Sequence, residues 1–330
     1  MTKVVISGYY GFGNFGDETI LSILVNHLKS LNADITVLSG NIEYTKKHNS
    51  VNAINRFDIK NVAKIIKSSD ILISGGGSLL QDATSLKSLI YYLFIIALGV
   101  LYNKKVLIFA QGIGPIKNRF AKVMTRFLIK QCYYVSVRDE KSFELLKTWD
   151  IASDLVPDPV FSIDVEQRKG EAIGVQLRNF NGVNISFLQN LAQFINSKFS
   201  DNIIKIFSLQ ESYDFDLCKN FEQMLKNTNP NIKTEIITEN IIENITDLEY
   251  LFGMRFHALL IAVKAGVKSC AINYDIKVEN FAKEYNLPVI SLSDNNNFEK
   301  IFIELENSRQ SQNVLKTIDW SKYDEIINNN

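Results

Sequence analysis

Arg255 and His257 interrupt an otherwise apolar run, Leu251-Phe252-Gly253-Met254-Arg255-Phe256-His257-Ala258-Leu259-Leu260-Ile261-Ala262. A guanidinium taken out of water without a partner is strongly unfavourable, so a carboxylate or an anionic ligand must meet Arg255. Imidazole exchanges a proton near neutral pH, which suits His257 to general acid work or to holding an anion, and equally to a satisfied place in a core. About twenty residues on, in Asn273-Tyr274-Asp275-Ile276-Lys277, a lysine follows a strand and opens a helix, where an ammonium can hold an anion. Arg138 ends an earlier strand, Val135-Ser136-Val137-Arg138-Asp139. Its planar fork suits a carboxylate or phosphate, or a structural pair with Asp139 or Glu140.

A second kind of chemistry is suggested by three glycine turns. After the first strand comes Gly8-Tyr9-Tyr10-Gly11-Phe12-Gly13-Asn14-Phe15-Gly16-Asp17-Glu18, which formally satisfies the dinucleotide fingerprint G-x-G-x-x-G. The fingerprint needs an acid at the end of the second strand to hold a ribose, and that strand runs out as Val37-Leu38-Ser39-Gly40-Asn41. Asp17 and Glu18 also open the helix, where they would repel a pyrophosphate. The loop reads instead as a close-approach turn for a sugar, with Asn14, Gly16, Asp17 and Glu18 as hydroxyl-binding or acid-base positions; Asp17 reads equally well as a helix cap. Ser74-Gly75-Gly76-Gly77-Ser78-Leu79-Leu80-Gln81-Asp82 and Gln111-Gly112-Ile113-Gly114-Pro115 follow two later strands and add Gln81, Asp82 and Gln111. Glycine leaves backbone amides open to ligand oxygens.

These residues need a scaffold that brings strand ends together. Short Val- and Ile-rich runs alternate with helical segments, the pattern of β-α-β units feeding a parallel sheet. The first half predicts strands at 3–7, 34–38, 71–74, 106–110, 134–137 and 154–156, with a first helix over about 16–31. Val156-Pro157-Asp158-Pro159 breaks the pattern, and a second series follows at 172–176, 203–208, 234–237, 269–272 and 288–291. The expectation is an α/β chain of two Rossmann-like domains, 1–160 and 161–330, the second ending in a polar segment over 312–330. Their parallel sheets would face across a cleft in the GT-B-like manner.

Composition narrows the partners. The 36 basic and 36 acidic residues cancel, which argues against a nucleic-acid partner. Cys132, Cys218 and Cys270 are widely spaced and read as reduced core thiols, with neither zinc nor redox spacing. The first residues run straight into a strand, as in a cytoplasmic protein. Leu89 to Tyr102 is strongly apolar yet too short to span about 30 Å of bilayer, so it reads as a buried helix or as a surface resting on lipid headgroups.

Together, GYYGFGNFGDETIL, SGGGSLLQD, AQGIGP, VRD, VPDPVF, GMRFHALLIA and NYDIKV, in order along nearly the whole chain, resemble the polysaccharide pyruvyl transferase family, its cell-wall CsaB type most closely. The resemblance implies an enzyme that moves pyruvate from phosphoenolpyruvate onto a hexose unit, an N-acetylhexosamine such as β-ManNAc, of a cell-wall polysaccharide precursor. The product is a 4,6-ketal and phosphate leaves. It implies no cofactor and no metal. It assigns the donor to Arg138, His257 and Lys277, with Arg255 in the same block. Phe256 stands where the block more often carries leucine.

On this reading His257 protonates the enol or holds its phosphate, and Asp17 or Glu18 activates the sugar hydroxyl. Asn14, Gly16, Asp17, Gln81, Asp82 and Gln111 face the acceptor. A lipid-linked acceptor would bring the chain to the inner face of the cell membrane. Two other readings use the same features: a GT-B glycosyltransferase with a nucleotide-sugar donor, and a non-catalytic saccharide-binding protein.

Overall fold

The computed structural model describes residues 1–166, 168, 170–180, 182–292, 296–310 and 317–329. Of the polar segment 312–330, residues 312–316 and 330 lie outside the described residues. The chain divides into two units, Met1–Ile163 with Lys316–Asn330, and Asp164–Leu315.

The first unit is built on eight strands: β1 (Lys3–Ser7), β2 (Asp34–Ser39), β3 (Asn52–Asn55), β4 (Ile71–Ser74), β5 (Gly77–Leu80), β6 (Lys105–Ile113), β7 (Tyr134–Val137) and β8 (Asp154–Leu155). They lie in the order β3-β2-β1-β4-β6-β7-β8, with β5 added along β6, and every pairing is parallel. A parallel sheet is covered on both faces, which is why β4, Ile71-Leu72-Ile73-Ser74, is buried at every residue. The strand order reverses between β1 and β4. Open α/β sheets hold ligands beyond the carboxyl ends of their strands at such a reversal, and the first two glycine loops leave the sheet there.

The apolar segment singled out in the sequence is the Leu86–Leu101 helix. It sinks Leu89, Tyr92, Leu93, Ile95, Ile96 and Leu98 into the core of this unit. The end of the chain departs from the expected division. Residues 161–330 were assigned to the second domain, yet the Ser321–Asn328 helix belongs to the first unit. Tyr323 supplies the reason: it is buried, edge-on to Phe109 and Tyr134, with its hydroxyl 2.6 Å from Ser136 Oγ. His27 Nε2 lies 2.6 Å from Asp324 Oδ1 on the same helix.

The second unit has six parallel strands: β9 (Ala172–Gln176), β10 (Ile203–Phe207), β11 (Lys233–Ile237), β12 (Leu248–Gly253), β13 (Lys268–Asn273) and β14 (Val289–Ser291). Their order is β11-β10-β9-β12-β13-β14, so the reversal falls between β9 and β12. Phe187, Leu191, Ile195 and Phe221 cover this sheet from flanking helices.

β3, β5 and β12 were not predicted. β3 is a short polar edge, β5 grows directly out of a glycine turn, and β12 merges with the next helix into one apolar run that has no visible period break. Three free cysteines agree with the thiol reading.

Candidate active site

In the first unit the glycine loop after β1 closes on itself. Glu18 Oε1 accepts three consecutive backbone N–H groups, from Gly11 at 2.8 Å, Phe12 at 3.1 Å and Gly13 at 3.2 Å. Such a nest of amides is what holds a phosphate in nucleotide-binding loops. Here a carboxylate of the protein fills it, which gives the rejected dinucleotide reading a structural cause. Burial pushes the Glu18 carboxyl up to about 7, against the opposing pull of those three amides. Its Oε2 is buried with no hydrogen-bond partner.

Asn14, not Asp17, caps the Phe15–Ser30 helix, accepting from Gly16 N at 3.2 Å. Gly16 is buried within the first turn. Asp17 is half-buried and lies against the second loop: a Cβ built on Gly77 would stand 2.7 Å from Asp17 Oδ1. Of the two acids nominated for a sugar hydroxyl, Asp17 therefore has the more open position, whereas Glu18 braces its own loop.

The remaining acceptor candidates serve local structure. Gln111 is fully buried, with Nε2 donating to Ser74 Oγ and Gly75 O, each at 2.7 Å. That position corrects the expectation that it faces a ligand: it ties the loop after β4 to β6. Asp82 accepts from the backbone N–H groups of Lys117 and Asn118, which hold its carboxyl below the usual range. Gln81 bonds Thr84 within its own turn.

Arg138, at the end of β7, is an ion-pair partner of Asp158 and donates to Ser78 Oγ at 3.1 Å. The partner expected from sequence was Asp139 or Glu140. Asp139 instead caps the Glu140–Thr148 helix, accepting from Ser142 N at 2.9 Å. Asp158 comes from the Pro157-Asp158-Pro159 turn, so that motif works as a clamp on Arg138.

Sequence reasoning missed Arg56. It is buried, donates from Nη1 to Gly8 O at 2.9 Å, and lies over the rings of Phe12, Phe57, Tyr91 and Tyr92 at 4.3 to 5.5 Å. Its charge is met by ring faces and a carbonyl, and it supports the first glycine loop from beneath. An arginine in a short polar linker, Asn55-Arg56-Phe57, gives no such signal.

In the second unit, the Arg255 guanidinium meets the carboxylate that its burial demanded. Nε and Nη2 reach Asp214 Oδ2 at 2.9 and 2.6 Å, and Nη2 reaches Gln210 Oε1 at 3.3 Å. This pairing takes Arg255 out of the group aimed at a ligand. Gln176, at the end of β9, accepts from Met254 N at 3.1 Å and Arg255 N at 2.6 Å, and so stitches β9 to the segment after β12.

His257 lies in the first turn of the Phe256–Lys264 helix, half-buried, with Phe256 edge-on at 5.1 Å. Lys277 is exposed in the first turn of the Ile276–Tyr285 helix, whose cap Asp275 accepts from the Lys277 and Val278 amides. These helices follow the hydrogen-bonded neighbours β12 and β13. Beyond β9, on the other side of β12, stands Arg178, which the sequence reading also missed. Its Nη1 donates to Tyr274 Oη at 2.6 Å, and its guanidinium lies 5.0 Å from that ring. Three adjacent strands thus end in Arg178, His257 and Lys277 in chain order. A half-buried phenol and two cations beside an imidazole form an edge suited to an anion.

Both units have the mononucleotide-binding strand order, and the chain is an α/β protein of the GT-B-like kind. Residues 14–276 match the polysaccharide pyruvyl transferase family, and the chain belongs to it. Its fold is shared by the UDP-GlcNAc 2-epimerase of Methanocaldococcus jannaschii, with a TM-score of 0.68, 13% identity and 99% of each chain covered. The UDP-GlcNAc 2-epimerase of Neisseria meningitidis, solved bound to UDP-GlcNAc, gives a TM-score of 0.65 at 9% identity, with 100% of each chain covered. Anabaena HepE in complex with UDP and glucose gives 0.61 at 10% identity, covering 100% of this chain and 99% of its own. No curated protein matches the sequence.

Proposed function

We propose that this protein transfers pyruvate from phosphoenolpyruvate onto O4 and O6 of a hexose, releasing phosphate. The acceptor is an N-acetylhexosamine such as β-ManNAc in a cell-wall polysaccharide precursor of the CsaB type, lipid-linked at the inner face of the membrane. The observation that carries this reading is the placement of His257 and Lys277 at the ends of adjacent strands in a chain of this family.

Phosphoenolpyruvate has a carboxylate and a phosphate at opposite ends of an enol, so it needs separated cations. Lys277 and Arg178 supply them in the second unit, and the family resemblance adds Arg138. Charge-assisted bonds of this kind contribute roughly 1.5 to 3 kcal/mol each. His257 delivers a proton to C3 of the enol. One sugar hydroxyl attacks C2, phosphate departs from C2, and the second hydroxyl closes the ketal. One hydroxyl proton restores the imidazolium and the other leaves with phosphate. Asp17 accepts the first of these protons from the sugar.

The test is phosphate release from phosphoenolpyruvate across a panel of N-acetylhexosamine disaccharides. His257→Gln should abolish turnover at saturating donor; near-normal turnover would remove the acid role. The fold likeness to proteins that hold UDP-sugars supports a second reading, a nucleotide-sugar glycosyltransferase. That reading requires UDP-GlcNAc, and not phosphoenolpyruvate, to raise the melting temperature.

A further inference from the structure

Between Asp82 and Asp139 the chain has nine lysines and arginines and not one aspartate or glutamate, although the whole sequence balances 36 against 36. Much of this charge lies on the Arg119–Ile129 helix and its flanks. That helix turns Ala121, Thr125, Leu128 and Ile129 into the core, as a surface helix should. Its outer face ought then to be polar. Instead Phe120, Val123 and Phe127 stand 75%, 66% and 58% exposed. They are spaced three and four residues apart, which sets them in one stripe. Arg119, Lys122, Arg126 and Lys130 are exposed around them. The Leu86–Leu101 helix packs alongside and adds exposed Ile90, Phe94 and Leu101.

We infer that this face docks on an anionic bilayer surface, its phenylalanines entering the headgroup boundary while the lysines and arginines meet lipid phosphates. Large apolar side chains one turn apart among cations are the composition of helices that lie in a membrane interface. Charge decides against a second copy of the chain, because a two-fold contact would set two cationic stretches against each other with no acid to relieve them. The bordering acid, Asp82, is engaged by the Lys117 and Asn118 amides. The sequence reading put membrane contact on Leu89 to Tyr102. Most of that segment's apolar side chains are in the core, so the contact moves to the neighbouring helix, with Ile90, Phe94 and Leu101 at its margin. Among the described residues no helix is long and apolar enough to cross a membrane.

The docking face does not rest on the transferase reading. Its test is cosedimentation of the full chain with phosphatidylcholine vesicles, with and without phosphatidylglycerol. The chain should bind the phosphatidylglycerol vesicles, less so as salt rises. Phe120→Ser with Phe127→Ser, and separately Lys122→Glu with Arg126→Glu, should each weaken that binding about tenfold or more while leaving the melting temperature within a few degrees. Phosphate release with a water-soluble acceptor should be unchanged in both, so a failed transferase assay and a failed vesicle assay are separate results. No binding by the unaltered chain, or equal binding by the variants, overturns the inference. So does a concentration-dependent dimer, formed without vesicles, that is lost in the phenylalanine variant.

Discussion

Arg255 and Asp214 form a closed pair in the second unit: two guanidinium nitrogens converge on Asp214 Oδ2 at 2.9 and 2.6 Å, and Asp214 is completely buried. Asp214 Oδ1 takes the Asn179 amide at 3.1 Å, so the pair also fixes the loop that carries Arg178. Removing one member leaves the other charge buried and uncompensated. Asp214→Ala should therefore lower stability by about 3 to 5 kcal/mol, read from urea denaturation. Arg255→Ala should do the same. A variant of full stability that had lost only donor affinity would return Arg255 to the binding site.

Glu18 makes stability depend on pH in a definite direction. Its folded-state pKa of about 7 lies above the ordinary 4.5, so the folded chain holds this proton more tightly than the unfolded chain. The associated stability is complete below about pH 4.5 and is lost as pH rises through 7. The total is about 3 kcal/mol. Glu18→Gln keeps an oxygen for the three amides and does not ionise. Relative to the unaltered chain it should gain about that much stability between pH 4.5 and 8, measured by denaturation at each pH. Parallel stability curves would show that Glu18 stays charged in its nest.

Much of the architecture was legible because parallel strands are buried on both faces and therefore read as unbroken runs such as Ile71-Leu72-Ile73 and Ile203-Ile204. The same rule concealed β12, whose apolar run continues into the helix that carries His257. The need for a partner at Arg255 was also legible, since burial of a guanidinium demands one. Which partner was not: Asp214 lies 41 residues away, and only folding brings it there. Arg178 escaped notice for the complementary reason. It sits among polar residues in Leu177-Arg178-Asn179-Phe180, where an arginine looks solvated, and only the strand order sets it beside β12. Gln111 shows the opposite error: a polar residue in a glycine loop looks ligand-facing until the sheet closes over it.

Arg178 should contribute to donor binding. Its guanidinium is oriented by Tyr274, whose phenol burial keeps neutral by raising its pKa. Arg178→Ala removes a charge at an edge where a charge-assisted bond is worth roughly 1.5 to 3 kcal/mol, equivalent to a 10- to 100-fold weaker Kd. Calorimetry with phosphoenolpyruvate should show that loss, while Tyr274→Phe, which releases the guanidinium without removing it, should show a smaller one. Unchanged affinity in Arg178→Ala would leave Lys277 as the second unit's cation for the donor.

Gly77 gives the most direct access to Asp17. Its φ of +101° is one that L side chains rarely adopt, and a Cβ there would stand 2.7 Å from Asp17 Oδ1. Gly77→Ala must both strain the backbone, at about 1 to 3 kcal/mol, and displace the Asp17 carboxylate. If Asp17 meets the sugar hydroxyl, the variant loses turnover with the acceptor while its affinity for phosphoenolpyruvate, measured without acceptor, stays the same. Asp17→Asn supplies the matching case without backbone strain: it should lower kcat, and the drop should be largest at low pH-independent donor saturation, where proton removal from the sugar limits the rate. Turnover retained in Asp17→Asn but lost in Gly77→Ala would make the glycine turn itself, and not the acid, the part that the acceptor requires.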